Sequence, residues 1–384
     1  MVGRPLRWLS TFILLASCLV AQQGEIRLDP RVRLGARALG IRLPETVPAD
    51  WASRPKPAPR PPSPRAMAPW PTIDWTESTP AAQHMTAWKL AKAADYGRRH
   101  GAKAMAVFRN GYLVGEWYAG GWNRDTRQKG YSMAKSVTSA LYGVMLKEGW
   151  ISGLDQKVST AVPAWGDRNH ADADLGHLLS MTSGIHWDFV SDYLLLPVSP
   201  NQNRFSIDQR LDDPPGTVWT YSNMGVQVLS AFLTRTVGMQ PAEYGNKRIG
   251  RVIGMWNADW LTDLRGNTLT YQSVIASARE FAKFGYLFLR NGEWDGRQVV
   301  PAQWVAASTS PSQTLNPFYG YLWWLNTAGL DMPDVPADAF YAAGLGEKRI
   351  YVVPSLDLVV VRLGDPSLGW DDNFFLGQVC DACW

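Results

Sequence analysis

The sequence predicts an α+β fold in which one antiparallel β-sheet is built from N- and C-terminal strands and is flanked by helices. Three observations support this prediction. A hairpin pattern stands early, with Asn110-Gly111 between two apolar-rich runs, helical patterns fill the middle of the chain, and strand patterns return only from residue 319 onward. The middle of the chain would then form a helical insertion lobe packed beside the sheet.

Periodicity and boundary residues justify each predicted element. The helix over 132–148 places Val137, Leu141 and Val144 on one face and stops at Gly149. Residues 277–280 are Ser-Ala-Arg-Glu, a capping box that opens a helix running to residue 290. The same criteria predict further helices at 85–100, 175–181, 223–237 and from 370 onward, and strands at 102–109, 112–118, 319–325, 340–343, 349–353 and 358–363.

Composition and charge argue against several classes of protein. Of the 384 residues, 46% are hydrophobic and 19% are charged, which is too apolar for a disordered chain. The mean hydropathy is negative, which argues against several membrane spans. The net charge is +4, but residues 71–384 hold 27 basic and 30 acidic side chains, so a basic nucleic-acid-binding body is not expected. Three cysteines are too few for a disulfide scaffold or a four-cysteine zinc site.

The first 21 residues have the composition of an export signal. Arg4 and Arg7 precede a mostly apolar run, Trp8–Ala21, which is too short to span a bilayer comfortably. Cleavage after Ala21 predicts a secreted chain, either periplasmic or extracellular. Residues 15–18, Leu-Ala-Ser-Cys, instead resemble a lipobox, which would leave Cys18 lipidated and the chain anchored to a membrane. We prefer secretion and keep the lipoprotein as the alternative.

Residues 22–74 are predicted to be a basic, proline-rich leader, and residues 75–384 a single folded body. Ten of the 26 prolines fall between Pro44 and Pro71, a density typical of an extended linker. A short basic helix within 22–43 has only weak support. Because an exported chain meets an oxidising environment, Cys380 and Cys383 are expected to form a local disulfide or to be two unreactive thiols.

The first catalytic candidate is Ser132, which stands with Lys135 in an S-x-x-K motif at the start of a helix. Positions i and i+3 share a helix face, so the amine of Lys135 can lie beside the hydroxyl of Ser132. A serine hydroxyl needs a base to act as a nucleophile, and an amine can be that base only after desolvation and neighbouring positive charge or dipole have removed its proton. Alone the motif is weak, because about one such spacing is expected by chance. A capping serine and a solvated lysine are the ordinary explanation.

The pentapeptide at 130–134 is also close to the G-x-S-x-G turn of α/β-hydrolases. That turn needs a strand immediately before it, and residues 122–129 are polar and lack a strand pattern. It also needs a histidine late in the chain, and the last of the five histidines is His186. Both points argue against that fold. His170, His177 and His186 lack metal-ligand spacing, and neither a metal nor an organic cofactor is expected.

A second motif, Tyr221-Ser222-Asn223, follows a proline-rich turn and opens a helix. In the functional interpretation Tyr221 is held near Lys135, and their mutual influence keeps a phenolate or a neutral amine available as the proton shuttle. Asn223 would hold Lys135 and the carbonyl side of the substrate. The ordinary alternatives are a half-buried aromatic residue and a helix cap.

Four segments together resemble one family. The serine β-lactamase-related family includes class C β-lactamases, DD-peptidases, family VIII esterases and 6-aminohexanoate-dimer (nylon-oligomer) hydrolases. The resemblance covers about residues 75–364 and implies a β-lactamase/transpeptidase-like fold. Segments 281–285 and 320–324 are similar to the branch of nylon-oligomer hydrolases and esterases. The four segments, in family order, are Ser-Met-Ala-Lys-Ser (132–136), His-Leu-Leu-Ser-Met-Thr-Ser-Gly-Ile (177–185), Pro-Gly-x-x-Trp-x-Tyr-Ser-Asn (215–223) and Tyr-Val-Val-Pro-Ser-Leu-Asp-Leu-Val-Val-Val (351–361).

The resemblance also implies a third motif, on a strand that lines the site. The matching stretch begins at Ala342, where β-lactamases have a lysine that grips the substrate carboxylate. The backbone N–H of Leu345 would pair with that of Ser132 as the oxyanion hole, and Gly344 and Gly346 would allow the substrate to approach closely. Without the lysine, uncharged esters or amides with an apolar body are expected to be preferred.

The sequence therefore predicts an exported serine hydrolase that cleaves ester or amide bonds of a small-molecule substrate. Ser132 would form the acyl-enzyme, with Lys135 and Tyr221 as the base system. A β-lactamase or penicillin-binding DD-peptidase is the alternative within the same fold. A non-catalytic envelope binding or sensor module is the alternative from another class, and the intact motifs argue against it. Neither a nucleic-acid partner nor a membrane span is expected.

Overall fold

The computed structural model describes residues 24–53, 69–167 and 169–384. The predicted export signal, with Cys18, and residues 54–68 of the predicted linker lie outside this part of the chain. No helix in the described ranges is both long enough and apolar enough to cross a membrane. The α-helices of the described residues are α1 (Pro30–Arg37), α2 (Ala87–Arg99), α3 (Met133–Lys147), α4 (Leu175–Leu179), α5 (Gln202–Ile207), α6 (Asn223–Val237), α7 (Pro241–Gly245), α8 (Ala278–Leu289), α9 (Ala302–Ser308) and α10 (Asp372–Asp381).

The strands form one large antiparallel sheet and three small ones. The large sheet has the order β10-β11-β12-β13-β3-β4, so strands from the two ends of the body meet where β13 pairs with β3. The strands are β1 (Glu25–Arg27), β2 (Thr46–Pro48), β3 (Ala102–Arg109), β4 (Tyr112–Tyr118), β5 (Gln128–Lys129), β6 (Asp259–Trp260), β7 (Val274–Ala276), β8 (Glu293–Trp294), β9 (Arg297–Gln298), β10 (Trp324–Leu325), β11 (Phe340–Gly344), β12 (Lys348–Val353) and β13 (Leu358–Gly364).

Helices cover both faces of the large sheet, and alternation along β12 shows how. Ile350 faces α8, where a Cβ added to Gly285 would lie 2.7 Å from its Cγ2. Arg349 and Tyr351, the residues on either side of Ile350, face the opposite side of the sheet. There Arg349 forms an ion pair with Asp372 of α10 at 2.9 Å, and the hydroxyl of Tyr351 donates a hydrogen bond to the same carboxylate. Burial on both faces explains why the central strands are almost continuously apolar.

The predicted α+β architecture is confirmed, and the differences lie in short pieces. The strand expected over 319–325 is wrong in extent, because Leu322 has φ of 63° and only β10 forms a ladder. The polar residues before Ser132, which have no strand pattern, include the two-residue strand β5, which pairs with β7. Such a short strand is set by its partner rather than by its own side chains.

Part of the predicted leader is folded against the body. Strands β1 and β2 pair, and between them α1 begins with Pro30 at its first turn and Asp29 as its cap, which accepts a hydrogen bond from the N–H of Arg31 at 2.7 Å. Val32 and Ala36 on this helix are fully buried in the main hydrophobic core. Residues 24–53 therefore pack as part of the folded chain.

The two C-terminal cysteines are free thiols rather than a disulfide. Cys380 is buried near the end of α10, and Cys383 is half-buried just beyond it. Burial raises the pKa of both thiols, which disfavours the reactive thiolate. Of the two alternatives that the sequence left open, the structure has the unreactive thiols.

Candidate active site

The amine of Lys135 is the centre of the site. It donates hydrogen bonds to Ser132 Oγ at 2.9 Å, to Asn223 Oδ1 at 2.7 Å and to the carbonyl oxygen of Tyr271 at 3.0 Å. Ser132 occupies the N-cap position of α3, but its side chain makes no capping bond. The serine hydroxyl is therefore turned toward the amine, as the S-x-x-K spacing predicts.

Burial favours the neutral form of Lys135, the form that can act as a base. Its side chain is 1% exposed, and desolvation lowers the pKa of Lys135 to about 7 because the charged form loses its hydration. The carboxylate of Asp192 opposes this shift, because a nearby negative charge favours the ammonium. Burial thus favours the neutral amine, the form that can accept a proton.

Asp192 is the main residue that the sequence analysis missed. It lies in the helical turn Val190–Leu195 and is fully buried. Its Oδ2 accepts a hydrogen bond from the backbone N–H of Asn223 at 3.0 Å and its Oδ1 one from the N–H of Met224 at 2.9 Å. The carboxylate thus holds the first turn of α6 and fixes the position of Asn223 beside Lys135. Burial raises the pKa of Asp192, and these backbone bonds work against that shift.

Tyr221 lies against the same amine, inside an aromatic cage. Its side chain is 2% exposed, and Lys135 Nζ lies 4.8 Å from the centre of its ring. Trp219, Tyr319 and Trp324 surround it, with ring centroids 5.8 to 6.3 Å away. Burial raises the pKa of Tyr221 well above its usual value, and a hydrogen bond with the Ser132 side chain lowers it in part. The proton shuttle could use a phenolate on Tyr221 or a neutral amine on Lys135. These surroundings favour the neutral amine beside a neutral phenol.

The turn after β11 approaches the Ser132 turn closely. A Cβ on Gly344 would lie 2.0 Å from the carbonyl oxygen of Gly130, so only glycine fits where the two segments touch. Among the turn and loop hydrogen bonds of the described residues, none is donated by the backbone N–H of Ser132 or Leu345. Gly346 has φ of 74°, which suits the tight turn. The backbone N–H groups of Ser132 and Leu345 are therefore candidates for the oxyanion hole.

The two cations that follow this turn in the sequence, Lys348 and Arg349, already have partners. Ala342 is buried in β11 and brings no charge. Lys348 Nζ donates to the carbonyl oxygen of Leu345 at 3.0 Å, and burial lowers the pKa of Lys348 to about 8. Arg349 is fully buried and forms its ion pair with Asp372. Neither side chain takes the place of the missing third-motif lysine.

The histidines have structural partners. His177 completes a capping box with Asp174 at the start of α4, and His170 lies between Asp167 and a backbone carbonyl. His186 contacts Asp212 and a second carboxylate on the surface. Throughout the described ranges, no group of three or more His, Cys, Asp or Glu side chains is placed to hold a metal ion.

Comparison with known proteins identifies the family. The model of the Beta-lactamase family matches residues 89–364, well over half of the chain. A 6-aminohexanoate-dimer hydrolase from Paenarthrobacter ureafaciens is 22% identical over 299 residues, which cover 70% of this chain and 73% of that protein. An uncharacterised protein from Alkalihalophilus pseudofirmus is 27% identical over 188 residues, 41% of this chain, and the match spans 55% of its length.

Solved structures share the fold. A Bacillus anthracis protein provisionally assigned as a 6-aminohexanoate-dimer hydrolase superposes with a TM-score of 0.67 at 21% identity, covering 82% of this chain and 88% of that one. A family VIII carboxylesterase superposes with a TM-score of 0.62 at 16% identity, covering 80% and 98%. Together with the family model and the motifs, these matches place the chain in the Beta-lactamase family, as a serine hydrolase with the β-lactamase/transpeptidase-like fold.

Proposed function

We propose that this hydrolase is exported and cleaves uncharged ester or amide bonds through an acyl-enzyme on Ser132. One observation carries the proposal: the buried amine of Lys135 is hydrogen-bonded to Ser132 Oγ at 2.9 Å, with a pKa lowered to about 7. A neutral amine at that distance can accept the serine proton as the oxygen attacks a carbonyl carbon. No step of this reaction requires a metal or an organic cofactor.

Acylation uses the groups around Lys135. Ser132 Oγ bonds to the substrate carbonyl carbon, and its proton passes to Lys135 Nζ. The N–H groups of Ser132 and Leu345 stabilise the negative charge that develops on the carbonyl oxygen. Tyr221 then gives its proton to the leaving alcohol or amine and regains one from Lys135. Water hydrolyses the acyl-enzyme by the reverse proton path.

The surroundings favour an apolar substrate. The turn that carries Asp192 inward exposes large apolar side chains on its outer side, and the ring of Phe189 stacks on Tyr193 at 5.4 Å. Tyr193 is close enough to influence the pKa of Tyr221, so this turn lies near the reacting groups. Such a surface suits an acyl group without charge. The exposed side chains are Phe189, Val190, Leu194, Leu195 and Val198.

Pre-steady-state kinetics tests the proposal. A short-chain nitrophenyl ester is expected to release a burst of nitrophenolate equal to the enzyme concentration, because acylation outruns hydrolysis of the acyl-enzyme. Ser132→Ala should abolish the burst and turnover. Ser139→Ala is the matched control on the same helix, since its buried hydroxyl has no hydrogen-bond partner among the described residues. Full turnover by Ser132→Ala would overturn the mechanism.

A β-lactamase or DD-peptidase is the second candidate, favoured by the family to which the chain belongs. It requires that the third motif bind a carboxylate without the lysine that Ala342 replaces. Stable labelling by fluorescent penicillin, blocked by prior reaction of the protein with a nitrophenyl ester, would favour this candidate. Rapid ester turnover without penicillin labelling would favour the esterase or amidase.

A further inference from the structure

We propose that the N-terminal segment, residues 24–53, positions the active site and that Gly35 on α1 is a positioning residue for Tyr221. The inference rests on the proposed role of Tyr221 as the proton donor to the leaving group. It adds that helix α1, which packs against the tyrosine, fixes its position.

The contact between α1 and Tyr221 is closer than a side chain allows. A Cβ added to Gly35 would lie 2.6 Å from Tyr221 Cβ and 3.3 Å from Trp219 Cζ3. Carbon atoms in favourable contact are roughly 3.5 to 4.0 Å apart. The backbone of α1 therefore lies directly against Tyr221, at a position where an alanine would push the tyrosine or the helix away.

The segment is attached on both sides of the site. On the helical side, Arg31 forms an ion pair with Asp213 at 3.1 Å, at the start of the loop that leads to Tyr221. On the sheet side, Arg349 Nη2 donates to the carbonyl oxygen of Leu39 at 2.7 Å. Arg349 follows the β11–β12 turn that carries Leu345. The segment thus joins the wall that holds the proton donor to the wall that holds one oxyanion amide.

Apolar side chains of α1 and of the residues after it also attach the segment to the hydrophobic core. Val32 and Ala36 are fully buried, and Leu39 and Ile41 are almost so. The family model begins at residue 89, so the segment lies outside the matched region. The position of Tyr221 in this chain therefore depends on an element beyond the region that defines the family.

The variant Gly35→Ala tests the inference with the smallest possible change. Alanine is the better helix former, so lost activity would not come from a weaker helix. A nitrophenolate leaves without a proton, whereas an alkoxide needs one from Tyr221. For esters of one acyl group, we expect kcat/KM to fall about tenfold or more with an ethyl ester and less than about threefold with a nitrophenyl ester, since small misplacements of catalytic groups are costly.

Controls separate positioning from folding. Activity is expressed per active site titrated by the nitrophenolate burst. The control is Gly166→Ala, where a Cβ would meet its nearest neighbour at 3.8 Å, and it should match the parent. If Gly35→Ala does not fold, Arg31→Gln, which loses only the ion pair with Asp213, should shift leaving-group dependence in the same direction to a smaller extent.

Three outcomes are distinguishable. A steeper dependence on the leaving group supports the inference. Equal losses with both esters, or the behaviour of the parent in Gly35→Ala, overturn it. If Gly35→Ala does not fold, an Arg31→Gln variant with the leaving-group dependence of the parent overturns it. In those cases an inactive Ser132→Ala leaves the proposed function standing, whereas an active Ser132→Ala removes the proposed function itself.

Discussion

At the scale of single residues, the site depends on one amine that is held in place and kept from water. Ser132 Oγ, Asn223 Oδ1 and the carbonyl oxygen of Tyr271 lie within 3.0 Å of Lys135 Nζ. A neutral amine can donate to the two carbonyl oxygens and accept from the serine hydroxyl, so its position is fixed even without a charge. Desolvation pulls its pKa down, and Asp192 limits that change. The balance between burial and one carboxylate therefore sets the pH at which Ser132 can be activated.

Asp192→Asn should shift the pH profile. A negative neighbour stabilises the ammonium and raises the pKa of Lys135, so its removal lowers that pKa further. The acid limb of kcat/KM, which rises as Lys135 loses its proton, is then expected to move to lower pH. The plateau value of kcat/KM should fall about tenfold or more. The carboxylate accepts two charge-assisted hydrogen bonds from the first turn of α6, whereas an amide has only one oxygen, so one buried N–H loses its acceptor.

The measurement is kcat/KM for a nitrophenyl ester over a range of pH, for the parent, Asp192→Asn and Asp208→Asn. Asp208 is an exposed carboxylate paired with Arg204, and its variant should reproduce the parent profile. An acid limb that stays in place or moves to higher pH in Asp192→Asn would contradict the electrostatic account.

Local spacing made part of the site predictable. Ser132 and Lys135 stand one helical turn apart, and Asn223 begins a helix, so short motifs in the sequence specify their geometry. Asp192 has no such pattern, because it lies in an irregular turn among apolar side chains and its partners are about 30 residues away. A buried carboxylate of this kind becomes recognisable only when the fold brings its donors together.

At the scale of elements, boundary residues and periodicity were most informative where a helix or strand packs along its whole length. Strands β3 and β4 and helix α6 have the bounds that their patterns predict. The capping box at Ser277 and Glu280 forms as predicted. The strand β5 follows β7, a partner that is distant in the sequence, and β10 is only two residues long, so local patterns place both poorly.

Gly285→Ala should destabilise the packing of α8 on the sheet. A Cβ there would lie 2.7 Å from Ile350 Cγ2 and 2.9 Å from Val359 Cγ1. Alanine gains about 1 kcal/mol in helix propensity, but overpacking costs about 1–3 kcal/mol. We expect a net loss in the free energy of unfolding of about 1 kcal/mol, measured by urea denaturation.

Gly176→Ala in α4 is the matched control, since its nearest neighbour to a Cβ lies at 3.4 Å. That variant should be at least as stable as the parent. A more stable Gly285→Ala would show that α8 and the sheet have room between them, contrary to the packing described.

At the scale of the whole molecule, the order of the elements made the architecture predictable. The composition of the leader did not indicate that residues 24–53 are folded. Strands at both ends of the body with helices between them lead to one sheet and an inserted lobe. The segment 24–53 belongs to a leader that is basic as a whole and borders a proline-rich stretch, features typical of a linker. Its partners, such as Asp213 and Arg349, lie far along the chain, so the sequence alone does not indicate that it packs near the site.

Export is also a property of the whole chain, and it has its own test. Expression in a bacterium is expected to yield a mature protein that begins at Gln22 and is recovered without detergent from the periplasm or the medium. Edman sequencing and intact mass check the cleavage site. A product that begins at a lipidated Cys18 and fractionates with membranes would establish the lipoprotein alternative instead.

The central claim is that Ser132 is the nucleophile, and covalent labelling tests it most directly. A serine-directed phosphonate should add one equivalent to the purified protein, and peptide mapping by mass spectrometry should place the adduct on Ser132. The rate of labelling should rise with pH as Lys135 loses its proton. An adduct on another residue, or undiminished labelling of Ser132→Ala, would contradict the account.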